Sequence, residues 1–282
     1  MNSAKRLLRS KNLIVGMILF FIVLTFSILG PLLYRVDPAK QFGEGRNLSP
    51  QWFSREDNKF ILGTDALGRD LASRLMYGGR LSLFISISAV VISLLIGVAI
   101  GLIAGYYGGF VDNILMRLTD IQLGIPILIL AIAIVAILGP NIHNLILVLG
   151  FTRWVNWARI VRANVMQVKE LEYVKAARAI GASSFYILLR HILPNIITPI
   201  IIVSSQMIGL FILMEAALSF LGFGVQPPIP SWGAMIADGR NYIMIYPWNA
   251  LAPGLATMIA VLSVNILGDG LRDVLDPRIK NL

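Results

Sequence analysis

The chain has 282 residues, 57% of them hydrophobic and only 14% charged, with a formal net charge of +9 and no cysteine. Soluble domains carry about 25% charged residues, so this composition excludes an ordinary soluble enzyme or binding module. The missing cysteines exclude disulfides and thiolate metal sites. The positive balance does not point to nucleic acid, because the charges are segregated: no Asp, Glu, Lys or Arg occurs over 13–34, 81–111, 121–152, 192–214 or 241–268.

Each charge-free run supplies the roughly 20 residues that a membrane-crossing helix needs. The 121–152 run contains the turn signal Gly139-Pro140-Asn141 and divides in two. The spacing therefore predicts six transmembrane helices, at about 13–34, 81–105, 121–138, 143–162, 196–218 and 248–269, and an all-α integral membrane protein. The first span follows Lys5, Arg6, Arg9 and Lys11. Its length and the lack of a small-residue cleavage site make it a retained signal anchor rather than a cleaved signal peptide. Residues 1–80 read as this anchor and an extracytoplasmic loop, and 81–282 as the core, with a polar segment at about 166–195. Cytoplasmic N- and C-termini put more than half of the 24 Lys and Arg residues inside, as the positive-inside rule expects. The eight basic residues of the 35–80 loop weigh the other way.

In chain order, Asp70 and Arg74 stand at i, i+4 and predict a short ion-paired helix. Span two carries Gly97, Gly101 and Gly105 as two overlapping GxxxG units, with Ser82, Ser86 and Ser93 continuing roughly the same face. Small residues let helices approach closely in lipid, so the stripe reads as a helix–helix seam; a pore-lining serine face is the other reading. Span four holds Arg153 and Asn156, which must be buried against protein or snorkel to the surface. Between spans four and five lies "EYVKAARAIGASSFYILLRHILPN" (172–195). Ala176, Ala177 and Ala179 favour helix, Gly181 ends it, Ser183 can cap a second helix, and Pro194 marks a new element. Such a helix pair is either an interfacial linker or a seat for another protein, with Lys175, Arg178 and Arg190 supplying charge for orientation. Ser204, Ser205 and Gln206 in span five, and Asn265 in span six, are candidates to line a solute path. Glu215, near the outer end of span five, is either functional or held by a structural hydrogen bond. Pro227, Pro228, Pro230 and Trp232 form a stiff loop, suited to docking or to plain structure.

No GxxxxGK[ST] phosphate loop, HExxH or GxSxG is present, and His143 and His191 are far apart. No span carries paired acids or an acid–histidine relay. The reading is of a chain with no catalytic residue, no metal site and no cofactor of its own, driven by energy from elsewhere.

Ala176, Ala177 and Gly181, followed after ten residues by Ile192, Leu193 and Pro194, resemble the cytoplasmic coupling loop of binding-protein-dependent ABC importer permeases. Lys175 stands where that loop usually has glutamate, and His191 where it usually has isoleucine. "LGTDALGRDLASRLMYGGRLSL" (62–83), "EAALSFLGFGVQPPIPSWGAMIADGR" (215–240) and "NILGDGLRDVLDPR" (265–278) resemble the C-type subunit of the peptide and nickel permease family. The resemblance implies a type I importer permease fold in a bacterial or archaeal plasma membrane. It implies that Lys175, Ala176, Ala177, Gly181, Ala182, Leu193 and Pro194 couple to an ATPase. Segments 62–80 and 219–240, with Asp65, Arg69, Asp70, Pro228 and Trp232, would face an extracytoplasmic solute-binding protein. Implied partners are a second homologous permease, two ATP-binding subunits that hold ATP and Mg, that binding protein and the lipid bilayer, with no nucleic acid. The implied cargo is di- or oligopeptides, with nickel, glutathione or another small solute as alternatives within the family. A self-contained channel or secondary carrier is the rival from another class, and a membrane scaffold without transport is the third reading.

Overall fold

The computed structural model describes residues 10–43, 45–53 and 59–275. Lys5, Arg6 and Arg9, and the Asp276–Arg278 end of the last motif, lie outside the described residues. Helix α1 (Lys11–Ile28) starts where Ser10 Oγ accepts from the Leu13 amide at 3.3 Å. After a break at Leu29 comes the one-turn α2 (Gly30–Leu33). The loop that follows is pinned by two isolated antiparallel bridges, Gln41 with Arg69 and Thr64 with Asp70. Asp70 then caps α3 (Leu71–Tyr107), accepting from the Ser73 amide at 2.6 Å. The chain continues through α4 (Gly109–Leu123), α5 (Ile127–Leu138) and α6 (Ile142–Val168), the last capped by Asn141. Next come α7 (Glu172–Ala179), α8 (Ser184–Tyr186), a π-helical stretch over Ile187–Ile192 and α9 (Leu193–Phe220). The short α10 (Trp232–Arg240) and the long α11 (Trp248–Leu275) complete the bundle.

The glycine stripe of α3 is a seam. A Cβ at Gly97 would stand 2.4 Å from Trp154 O, at Gly101 2.6 Å from Ala158 O, and at Gly105 2.7 Å from Val165 Cβ. The two positions rise together, so α3 and α6 run parallel at close backbone approach. Ser82, Ser86 and Ser93 are fully buried, and Ser93 Oγ donates to Gly150 O. The pore-lining reading of these serines is thus set aside for the packing one. Antiparallel pairs complete the bundle: Gly16 of α1 meets Leu267 and Gly270 of α11 meets Leu13, while Gly209 of α9 meets Asn265. One proximal end therefore gathers the start of α1, the ends of α3, α6 and α11, and the start of α9. The distal end holds the 35–70 loop and α10. Between them Ile85, Leu149, Trp157 and Phe211 form the main core, and apolar side chains such as Phe21, Leu95 and Ile137 face outward, as a lipid-facing surface requires.

Three span boundaries differ from expectation. The second span begins at Leu71 rather than 81, because Arg74 is neutralised by ion pairs instead of lying in a loop. The third is broken: α4 and α5 meet at 87° across Gly124–Pro126, where Pro126 cannot continue the ladder of α4. Residues 109–120, expected as a loop, form most of α4, held to α6 by Arg162–Asp112 and Arg159–Asp120 pairs of 2.5 Å. The fourth runs on to Val168. Among the described residues four helices are long and apolar enough to cross a membrane, five with the bent pair, and α6 is not one of them.

Candidate functional site

At the proximal end, α7 and α8 turn about Gly181, whose φ of 83° is the left-handed geometry glycine adopts without strain. The Gly181 and Ala182 amides donate to Arg178 O and Ala177 O, each at 3.1 Å, closing α7. Ser183 Oγ accepts from the Tyr186 amide and opens α8. Val174 and Ala177 face inward, in one apolar cluster with Ile187, Leu188 and Ile192. Ala177 was expected at a seat for another protein; it is buried because it falls on the inner face of α7, three residues after Val174. The outward face carries Tyr173, Ala176, Ile180 (86% exposed) and Phe185 (73% exposed). Lys175 is also outward and pairs with Glu170 at 3.0 Å, and this hydrogen bond lowers the Glu170 pKa below the usual carboxylate range. Arg178 stacks over the Tyr106 ring, with Cζ 5.2 Å from the centroid. Ala182 and Leu193 are half-buried and Pro194 is exposed. Pro194 stands in the first turn of α9, where a proline is tolerated, so it marks the start of that helix as expected, although the π-helical stretch runs directly into it. Ile180 and Phe185 were not singled out from sequence; their signal is apolar residues on the polar face of an otherwise charged segment.

The distal end is held by buried ion pairs, while Trp248 Nε1 and Asn249 Oδ1 are buried there without a hydrogen-bond partner among the described residues. Arg69 Nε meets Asp65 Oδ2 at 2.6 Å and its Nη2 meets Asp238 at 3.4 Å, while Arg74 reaches the same two carboxylates at 3.3 and 3.7 Å. The expected Asp70–Arg74 pair does not form. Asp70 instead caps α3 and accepts from Tyr34 Oη at 3.0 Å. Burial, then the Asp70 charge, push the Tyr34 phenol up to about 12, and burial raises Asp70 itself against the hydrogen bonds it accepts. Trp232 is buried, its Nε1 donating to Leu75 O at 2.9 Å and its amide to Ser82 Oγ at 3.2 Å. Asp65, Arg69, Asp70 and Trp232 are therefore framework rather than a surface for another protein, because ion pairs and capping draw them inward. Of that set only Pro228 is exposed. Above the framework opens a cleft of about 660 Å³, lined among others by Asp238, Arg240, Tyr242, Gln226 and Ile229. Asp238 and Arg240 lie in the quoted 215–240 motif, but nothing in their spacing marks a cleft.

Midway along the bundle, Ser204 accepts from Trp157 Nε1 at 3.0 Å and donates to Ile200 O, and Ser205 donates to Ile202 O. Their hydroxyls are spent on helix packing. Gln206 Nε2 lies 3.4 Å from Asp269 Oδ1, and Asn265 is exposed on α11 beside Gly209. Glu215 is fully buried and accepts from Ser219 Oγ at 2.7 Å, the structural hydrogen bond. Arg153 Nε points at Met214 Sδ (3.3 Å) and Asn156 Nδ2 at Met207 Sδ (3.6 Å), both half-buried between α6 and α9. Among the described residues no group of three His, Asp or Glu side chains could hold a metal ion.

Comparison with known proteins accords with this geometry. Residues 97–281 match the binding-protein-dependent transport system inner membrane component family, and residues 2–50 the N-terminal transmembrane domain of oligopeptide transport permease C. The chain is 43% identical over 268 residues to the di/tripeptide transport system permease protein DppC of Pseudomonas aeruginosa, covering 95% of this chain and 88% of the relative. It is 41% identical over 280 residues to the dipeptide permease DppC of Alkalihalophilus pseudofirmus, covering 98% and 89%. With the glutathione transport system permease protein GsiD of Pectobacterium atrosepticum it shares 45% over 220 residues, covering 78% and 73%. A chain of the MetNI methionine ABC transporter, solved in inward-facing conformations, superposes with a TM-score of 0.55 at 18% identity, over 71% of this chain and 96% of that one. The chain thus belongs to the binding-protein-dependent transport system inner membrane component family and is a permease subunit of an ABC importer, with the type I importer fold.

Proposed function

We propose that this permease carries di- or oligopeptides inward, with a second homologous permease completing the path and two ATPase subunits supplying the energy. The peptide relatives at 41–43% identity support the cargo. A second reading, glutathione, has its own support in the 45% identical relative, and glutathione is itself a tripeptide. ATP and Mg are bound by the partner subunits.

The observation that carries the reading is the proximal helix pair, which leaves Tyr173, Ala176, Ile180 and Phe185 outward without cover from this chain. A small-residue and apolar surface of this kind suits a groove on an ATPase. The pair is joined to α6 through three residues and to α9 without a break. A push on it therefore moves α6 and α9 together, which turns nucleotide binding into alternating access. In this reading the proximal end and both termini face the cytoplasm, and the distal cleft faces the solute-binding protein.

Gentle co-purification of the tagged chain from its own membranes tests the assembly. Recovery of a second permease and two ATPases is expected; recovery of this chain alone with uptake intact overturns the reading in favour of a self-contained carrier. Ala176→Arg is expected to insert normally yet lose ATP-driven uptake, because the added bulk sits on the outward face.

A further inference from the structure

Arg153 lies 11 residues into α6, about 16 Å along the axis from its start and about 22 Å from its end at a rise of 1.5 Å per residue. An ionisable group this far from both ends of a helix packed within a membrane bundle marks a path or a partner unless something neutralises it. The arginines at the rim of the bundle are neutralised: Arg69, Arg74, Arg159 and Arg162 each lie within 3.3 Å of an aspartate oxygen. Arg153 forms no ion pair with any described carboxylate, and its guanidinium has one side-chain acceptor, the thioether of Met214. A thioether is a weak acceptor and leaves most of the five N–H donors unmatched.

Asn156 repeats the pattern one turn along the same face, its Nδ2 directed at the thioether of Met207. Both side chains are half-buried between α6 and α9, so each keeps part of its surface outside the sealed core. The pair therefore offers a planar cationic fork and an amide donor, backed by two soft apolar groups, with no described carboxylate paired to the fork. A guanidinium fork matches a carboxylate through two parallel hydrogen bonds. We propose that Arg153 and Asn156 form a carboxylate subsite of the translocation path, which takes the C-terminal carboxylate of the peptide in transit while Asn156 donates to the adjoining carbonyl. This rests on the peptide reading above.

The test is uptake of labelled alanylalanine by the complete importer in proteoliposomes, comparing wild type with Arg153→Gln, Arg153→Lys and Asn156→Leu. Arg153→Gln is expected to lower the maximal uptake rate at least about tenfold, since a charge-assisted bidentate pair is lost. The concentration for half-maximal uptake stays where the binding protein sets it. Arg153→Lys recovers only part of the rate, because it restores the charge without the planar fork, and Asn156→Leu gives a smaller loss than Arg153→Gln. The second permease co-purifies equally with all four chains. Equal rates for Arg153→Gln and wild type overturn the subsite and leave the peptide reading standing. Loss of the second permease from Arg153→Gln also overturns it, because the counter-ion then belongs to that subunit. A wild-type importer that fails to accumulate the dipeptide overturns the peptide reading, and the subsite falls with it.

Discussion

At the distal end two arginines share two aspartates behind a buried tryptophan, all within this chain. At the proximal end the helix pair spends only Val174 and Ala177 on its own core and turns Ala176, Ile180 and Phe185 outward. Both ends have helix, loop and charge, yet they use them oppositely. The distal charges fix geometry, while the proximal face holds its contacts in reserve. A sequence motif marks importance in both places and does not say which of these two uses it serves.

Substitutions separate the two ends. The largest expected effect is at Arg69→Met, which strips a buried cation from between Asp65 and Asp238. A loss of about 3 kcal/mol is expected, since Asp65 loses its 2.6 Å charge-assisted partner and keeps only the longer contact with Arg74 at 3.3 Å. Thermal unfolding of the detergent-solubilised permease measures it, and an unchanged midpoint breaks the comparison. Trp232→Phe keeps an aromatic ring but removes the donor to Leu75 O. It is expected to cost about 1–3 kcal/mol by the same measurement.

Tyr34→Phe comes next, at about 1 kcal/mol near neutral pH for one lost hydrogen bond. Its sign follows from the raised phenol pKa. The folded state holds this proton more tightly than the unfolded state, so the contribution is complete below pH 10 and fades as pH rises toward about 12. The gap in unfolding midpoint between wild type and variant should therefore close across that window. The smallest effect on stability belongs to Ile180→Ser, within about 0.5 kcal/mol for an exposed site. The same variant is expected to lose co-purifying ATPase, and a normal yield would show that the proximal face does not dock.

Much of this architecture can be read from the chain itself. The charge-free runs locate the helices, the Gly97–Gly101–Gly105 stripe marks the seam, and Gly181 with Ser183 marks the turn and cap of the proximal pair. What escapes is set by distant partners. Arg74 reads as a loop charge until Asp65 and Asp238 are placed beside it, so the start of α3 appears ten residues late. Asp112 and Asp120 likewise read as loop until α6 supplies Arg162 and Arg159. Asp70 was legible in another way, as a cap before an apolar run, and that competes successfully with its i, i+4 partner. Pro126 signals the break in the third span, but a charge-free run conceals it. Ala176 and Ala177 are chemically identical, and only helix phase assigns one to the core and the other to the surface.

The π-helical stretch over Ile187–Ile192 sets how tolerant this chain is to a change in its length. An i→i+5 turn stores a residue more than the i→i+4 ladder on either side of it. Deleting one residue there lets the turn tighten to α-helix while everything after Leu193 keeps its phase. The same deletion a few residues later, inside α9, would rotate all that follows by about 100° and carry Met207 and Met214 away from α6. One short stretch can thus lose a residue without disturbing the register of the membrane core.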